Sequence, residues 1–327
     1  MASTRTFRIG TRGSDLALWQ ARRVQALLAA QHADVPVELE VIETRGDRDT
    51  THVLYQATEE TIGFFTKNIE RALMERRVDL AVHSLKDLPT ESPEGLMLGA
   101  IPERADVHDL WITRDGSPSE QAPAGARIGT SSLRRRAQLA ALRSDFVFGD
   151  IRGNVPRRLQ LLAEGEFHAI LLASAGLARL ERRPPQAIAL PLDRFLPAPG
   201  QGAMAVQIRT DDPETRELVA SIDDPRVRLA VHAERALLRA LEGGCSAPIG
   251  ALARVEGSRL TLRAMVVDPS GARSLHGERA GTVDMTAAAE ADIARRLDAW
   301  RQAESIGSAL ADELLERGAA EIVPRRS

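Results

Sequence analysis

The segment His83-Ser84-Leu85-Lys86-Asp87-Leu88-Pro89 sets a lysine and an aspartate side by side just after a buried-looking strand. Open α/β sheets bind ligands at the carboxyl ends of their strands. A carboxylate there can stabilise developing positive charge or move a proton. A surface Lys–Asp pair is the alternative reading. The tetrapeptide Arg-Ile-Gly-Thr occurs at 8–11 and again at 127–130, each time leading from strand to helix. The turns that follow are Thr11-Arg12-Gly13-Ser14 and Thr130-Ser131-Ser132-Leu133-Arg134-Arg135. Free N–H groups and the dipole of a starting helix attract carboxylate or phosphate there, and arginine adds bidentate hydrogen bonds. Ordinary capping with solvated arginines would explain either turn alone. Both turns together, followed by Asp150-Ile-Arg152-Gly-Asn-Val-Pro-Arg-Arg158, point to an anion-lined cleft. Neither turn has Walker or dinucleotide-fingerprint spacing. Glu242-Gly-Gly-Cys245-Ser-Ala-Pro-Ile-Gly250 carries the only thiol. A lone cysteine is usually a small buried hydrophobe, but these glycines argue for exposure or the close approach of something bulky. The seven histidines form no ligand cluster, so no catalytic metal is predicted.

These residues need a scaffold, and the apolar pattern supplies an α/β one. Strands are predicted at 7–10, 37–43, 78–83, 127–130, 146–151 and 169–173. Helices are predicted from Ser14 or Asp15 onward, over 64–77, over 133–143 and over 155–164. The recurrence of Arg-Ile-Gly-Thr suggests two halves on one βα plan. Phe195-Leu-Pro-Ala-Pro-Gly-Gln-Gly202 reads as a crossover between domains. From about Arg226 the pattern changes to a helix, two strands (249–255 and 259–267) joined at Glu256-Gly257-Ser258, then helices. A chain of 327 residues exceeds one small core. With 43% hydrophobic and 27% charged residues it is globular, and a net charge of −3 excludes a generally basic nucleic-acid coat. One cysteine excludes a disulfide framework, and no apolar run suits a membrane helix or a signal peptide. A cytoplasmic location is the default. Only Lys67 and Lys86 are lysines among 43 basic residues, a bias that fits genome composition and marks both as candidates for positions where arginine's bulk and fixed charge would serve less well.

The segments TRGSDLALWQA, TRGD, HSLKDLPT, GTSSLRRRAQL, DIRGNVPRRL, ASAGLARL, PAPGQGA and LEGGCSAPIG resemble, in order, those of the porphobilinogen deaminase (hydroxymethylbilane synthase) family. The resemblance implies two doubly wound α/β domains like type II periplasmic binding proteins, with the active site between them, plus a small α+β C-terminal domain. The implied domains are 1–105 with 199–222, then 106–198, then 223–327. It also implies a dipyrromethane cofactor joined covalently to Cys245. The implied reaction condenses four porphobilinogen molecules with loss of ammonia, and hydrolysis frees linear hydroxymethylbilane. Carried over by motif, Asp87 is the catalytic carboxylate, stabilising the cationic azafulvene left when ammonia departs. Cys245, Lys86, Asp87, Ser14, Ser132, Arg134, Arg135 and Arg158 hold the cofactor, while Arg12, Arg152, Arg158 and Arg179 hold substrate carboxylates. The implied partners are porphobilinogen and its oligomeric intermediates, with no nucleic acid and no membrane, on a monomer.

The alternatives are a non-catalytic binder of an anionic small molecule and a relative with impaired turnover. Cys245 and Asp87 favour the enzyme, since a binder needs neither. The second alternative rests on one departure from the family. Where the family has a glycine- and lysine-containing loop, often K-x-G-G-K-G, this chain has Thr58-Glu59-Glu60-Thr61-Ile62-Gly63, with Thr58 and Ile62 in the lysine positions. Without those charges an anionic substrate is drawn inward by the cleft arginines alone. Replacing Thr58 and Ile62 with lysine should therefore lower the Michaelis constant, and more at low salt than at high, because exposed charge is screened. Steady-state kinetics across ionic strength would check this; a salt-independent response means the loop does not face substrate.

Overall fold

Along Phe7–Thr11 only Arg8 faces water, which suits a strand inside a sheet. In the computed structural model, which describes residues 5–42, 59–241, 247–290 and 293–323, this segment is β1. The chain forms two units, 1–104 with 203–228 and 105–202 with 229–327. In the first, β1 pairs in parallel with β2 (Val37–Val41) and β3 (Leu80–Ser84). Strand β10 (Met204–Arg209) runs antiparallel between β3 and β4 (Leu96–Ala100), giving the order β2-β1-β3-β10-β4. Successive strand residues point to opposite faces. Leu80 and Val82 accordingly join Ala21, Val24 and Leu28 of α1 (Asp15–Gln31). On the other face Ala81 joins Ile69 and Leu73 of α2 (Glu59–Met74). Each such leucine or isoleucine, once fully buried, contributes about 1.5–3 kcal/mol.

The second unit repeats this plan. Its sheet is ordered β7-β6-β8-β5-β9, with β6 (Arg127–Gly129) parallel to β7 (Val147–Gly149) and β8 (Ala169–Ala173). Strand β5 (Asp109–Thr113) runs antiparallel to β8 and to β9 (Ile188–Ala189). The repeated tetrapeptide occupies one structural position. Gly10 pairs with Ala81, the second residue of β3, and Gly129 with Ile170, the second residue of β8. A Cβ at Gly10 would meet Val78 at 3.0 Å, and one at Gly129 would meet Phe167 at 2.9 Å, so both strands are packed too tightly for a side chain there. The likeness continues past the tetrapeptide. Ser14 caps α1 and Ser132 caps α3 (Leu133–Leu142), and each helix has a buried glutamine at the same distance from its cap, Gln20 and Gln138. The remaining helices of this layer are α4 (Val155–Ala163) and α5 (Ser174–Arg179).

Helix α6 (Pro213–Ala220) belongs to the first unit, while α7 (Pro225–Ala240) continues into the second from Leu229 onward. Beyond it, β11 (Ile249–Glu256), β12 (Arg259–Val267) and β13 (Ser274–Thr282) form an antiparallel sheet covered by α8 (Met285–Ala289) and α9 (Ile293–Glu316). Glu256 pairs with Arg259, so Gly257-Ser258 is the turn, and Gly257 has φ +58°. This is the expected α/β architecture with a small α+β C-terminal part.

Several expectations need correction. Helix α2 begins at Glu59 and ends at Met74 instead of spanning 64–77, so residues 59–63, read as loop, are helical. Thr58 and Cys245 lie outside the described residues. The strand pattern also missed β4, β5, β9, β10 and β13. Strands β5 and β10 are buried along their whole length, polar residues included, so they show no alternation. β13 is mostly exposed and glycine-containing. Its glycines face α9: a Cβ on Gly277 would meet Leu310 at 2.7 Å and one on Gly281 would meet Ile306 at 2.6 Å.

Helix α9 crosses α7 at Gly307, where a Cβ would lie 2.2 Å from the Ala233 carbonyl oxygen. Gly307→Ala gains about 1 kcal/mol of helix propensity. The overlap falls on a backbone atom, which cannot swing away, and overpacking costs about 1–3 kcal/mol. The variant should therefore be less stable than the unmodified protein, read as a lower thermal midpoint.

Candidate active site

Parallel strands end at a common edge of the sheet, so whatever follows β1 lies beside whatever follows β3. In the first unit this edge holds the turn Arg12-Gly13-Ser14 and the helical turn Leu85–Asp87. The Ser14 hydroxyl accepts from the Ala17 N–H (3.4 Å), and the Thr11 hydroxyl donates to the Ala17 carbonyl (3.1 Å). Gln20 reaches from α1 to donate to the Ser84 hydroxyl (2.9 Å). Leu85 is fully buried and its N–H bonds to the Ala203 carbonyl (3.0 Å), while Leu88 N–H closes the turn on the Leu85 carbonyl (3.1 Å). These two leucines anchor the turn from below. Lys86 is left half-buried and Asp87 exposed.

Beneath the turn, His83 is 7% exposed and its Nε2 has no hydrogen-bond partner. Burial pulls its pKa down to about 4, the neighbouring Gln207 side chain opposes the fall, and the Arg12 charge adds to it. The ring is therefore neutral at pH 7, and no second cation is added beside Arg12.

The second unit has the same edge with different chemistry. After β6, the hydroxyl of Ser132 accepts from the Arg135 N–H (3.4 Å) at the start of α3. Arg134 and Arg135 are both buried. Arg134 Nη2 lies 2.8 Å from Asp109 Oδ2, and its Nη1 donates to the Leu196 carbonyl (2.6 Å). Arg135 donates through Nε (3.0 Å) and Nη2 (2.6 Å) to Asp109 Oδ1 and through Nη1 to the Leu171 carbonyl (2.9 Å). Burial holds Arg134 below the usual guanidinium range, with the Asp109 charge opposing. Arg136, next along α3, bonds to the Thr130 carbonyl (2.8 Å) and pairs with Asp150. The hydroxyl of Ser131 donates to the Ile151 carbonyl (3.0 Å), joining this turn to the one after β7. There Arg152 is exposed, and Arg158 donates from Nε to the Gly153 carbonyl (2.8 Å). At the end of α5, buried Arg179 donates to the Gly202 carbonyl (2.7 Å).

The expected site residues thus gather at one sheet edge in each unit: Arg12, Ser14, Lys86 and Asp87 in the first, Ser132, Arg134, Arg135, Arg152, Arg158 and Arg179 in the second. Of the arginines among them, Arg134, Arg135 and Arg179 are buried instead of solvated, Arg12 and Arg158 are half-buried, and Arg152 is exposed. Sequence reasoning missed Asp109, His83, Gln20 and Gln138. A usable signal was a carboxylate opening the apolar run Asp109-Leu-Trp-Ile-Thr113, since a buried charge needs a partner.

His83 ties stability to pH with a definite sign. Its folded pKa lies below the ordinary 6.5, so the unfolded chain binds the proton first. The stabilisation is complete above pH 6.5, is lost as pH falls toward 4, and changes no further below that. The full difference is about 3 kcal/mol. His83→Gln should flatten the stability curve between pH 6.5 and 4, as measured by chemical denaturation; an unchanged acid limb would place the titration elsewhere.

Two comparisons bear on identity. The family profile described as porphobilinogen deaminase, dipyromethane cofactor binding domain, matches residues 7–217, and that of the C-terminal domain matches 228–316. A protein of Syntrophobacter fumaroxidans named porphobilinogen deaminase is 44% identical over 319 residues, 98% of this chain and 97% of that protein. One of the same name from Deinococcus radiodurans is 43% identical over 320 residues, 98% of each chain. Among solved structures, the BenM effector binding domain with its effector benzoate is 16% identical, covers 67% of this chain and 89% of that chain, and gives a TM-score of 0.40. Two profiles matching consecutive stretches of one chain, with relatives alike over almost their full length, settle the family: the chain belongs to the porphobilinogen deaminases.

Proposed function

We infer that this chain is a transferase that joins four porphobilinogen molecules head to tail into linear hydroxymethylbilane, in tetrapyrrole (heme) biosynthesis. At each joining the aminomethyl C–N bond breaks and ammonia leaves. The freed methylene then bonds to the unsubstituted α-carbon of the pyrrole at the chain end, which gives up its proton. After the fourth addition, hydrolysis breaks the bond between the first-added methylene and the pyrrole carbon it was joined to, the hydroxyl of water going to the methylene and its proton to that carbon. The observation that carries this reading is the family match over nearly the whole chain.

We assign the catalytic role to Asp87. Departure of ammonia leaves a cationic, electron-poor pyrrole, and an anion fixed beside it lowers that barrier selectively. The anchored turn supports this assignment, because burial of Leu85 and Leu88 fixes the backbone that carries the exposed carboxylate. Lys86, Ser14 and Arg12 share its edge and are assigned to acidic groups of cofactor and substrate. In the second unit, the donors fit an acetate- and propionate-bearing dipyrromethane: two buried guanidiniums meet one aspartate at the start of a capped helix. Ser132, Arg134, Arg135 and Arg158 are assigned to its carboxylates, and Arg152, Arg158 and Arg179 to those of substrate. When bound through Cys245, the group supplies the pyrrole end from which the product grows. We further propose a cytoplasmic monomer that acts on no nucleic acid or membrane, with domains 1–105 plus 199–222, 106–198 and 223–327. In support, no helix among the described residues is long and apolar enough to cross a membrane.

The test is single-turnover ammonia release from Asp87→Asn, checked for the covalent cofactor by intact mass. Asparagine keeps the size and an acceptor oxygen but loses the charge. Release should slow by roughly 10²-fold or more, the scale of one preorganised electrostatic group. Asp87→Glu, which displaces the charge, should retain more activity. A loaded Asp87→Asn protein releasing ammonia at the unmodified rate would remove Asp87 from the chemistry.

A further inference from the structure

Asp109 has a fully buried side chain at the first position of β5. It meets Arg134 (2.8 Å), Arg135 (2.6 Å and 3.0 Å) and the Gln201 side-chain amide (3.1 Å). Gln201 also donates to the Val107 carbonyl (2.8 Å), so the carboxylate is held from the segments on both sides. The internal repeat provides a control for what the fold itself requires. Asp109 lies opposite the last residue of β8, and Met204 lies opposite the last residue of β3. Counted from the capping serines, Arg134 and Arg135 correspond to Leu16 and Ala17. The same strand, turn and helix thus form in the first unit with methionine, leucine and alanine where the second unit has an aspartate and two arginines. The architecture does not demand the buried charges, which are costly to desolvate.

We propose that Asp109 is a positioning residue, fixing the forks of Arg134 and Arg135 for the carboxylates they bind. This rests on the assignment of those arginines given above. One carboxylate facing two guanidiniums holds Arg135 by charge-assisted hydrogen bonds and Arg134 by an ion pair yet neutralises only one, which leaves the cluster suited to a further anion. The arginine planes cannot be set by α3 alone, because long side chains lose their geometry without a partner.

The experiment is a thermal-midpoint cycle on the full chain. The unmodified protein and Asp109→Glu are each prepared with Cys245, loading confirmed by intact mass, and with Cys245→Ser, which carries no cofactor. A bound group stabilises the fold that binds it, so the gap between loaded and unloaded midpoints reports the grip of the arginines. Glutamate keeps the charge balance but moves the carboxylate. The unloaded midpoint should change little while the gap shrinks by about half or more, the excess being a coupling between the two positions. A folded Asp109→Glu protein that fails to load supports the proposal in the same way. Equal falls in both midpoints, with the gap intact, would overturn it. The triple change Asp109→Met, Arg134→Leu, Arg135→Ala copies the first unit's solution and should unfold cooperatively with no loading gap; failure of that variant to fold would make the cluster a structural requirement and sink the proposal. Arg135→Leu separates the two readings: a gap it leaves untouched refutes the arginine assignment, whereas a gap it abolishes beside an unaffected Asp109→Glu refutes only the role of Asp109.

Discussion

Parallel pairing of the first and third strands is the constraint from which the sites follow. Two parallel neighbours must finish at the same edge, so the turns leaving them are brought together whatever their sequences. The close packing that excludes a Cβ at Gly10 and Gly129 holds that register in both units. Arg12 and Ser14 then come to the edge that carries Lys86 and Asp87, and Ser132 comes to the edge shared by the segments after β7 and β8. The antiparallel strand beside the third one closes each core. It also supplies one position at the rim, which is apolar Met204 in one unit and charged Asp109 in the other.

This duplication separates fold from function within a single chain. Capping serine, buried glutamine and tight glycine recur, and each has a local physical task. Serine satisfies a helix N–H, glutamine ties the helix to backbone or hydroxyl, and glycine admits close packing. What differs between the copies is charge. The first unit exposes an aspartate on an anchored turn above a neutral, buried histidine. The second buries two arginines over a single carboxylate. An exposed carboxylate in one and buried guanidiniums in the other are the features behind the roles proposed above for Asp87 and for the arginines of the second unit.

The C-terminal part relies on a different economy. Its sheet and helices approach through small residues, with Gly277 and Gly281 under leucine and isoleucine side chains of α9 and Gly307 against the Ala233 carbonyl. Glu234, buried on α7, accepts N–H bonds from Gly200 and Ala253 (both 2.7 Å) and so fastens the glycine-rich stretch before residue 203 to β11. A buried carboxylate is tolerable there because both oxygens are satisfied by backbone donors.

Much of this was legible in the residues alone. The parallel strands β1, β3, β6 and β8 were readable because each is a short apolar run followed by a turn with its own chemistry. The proposed site residues were readable because they lie in those turns or in the helices that directly follow them. Other features were decided only by tertiary structure. β5 and β10 carry no periodic signal, since both faces are covered and Asp109, Gln207 and Arg209 can be buried among apolar neighbours once partners are at hand. β13 becomes a strand through its pairing with β12 and the fit of its glycines to α9, neither of which is a local property. The partnership of Asp109 with Arg134 and Arg135 spans residues far apart in the chain. Sequence spacing reports what a turn can offer, but only the folded chain decides which charges are brought within hydrogen-bonding distance, because burial makes an unpaired charge too costly to keep.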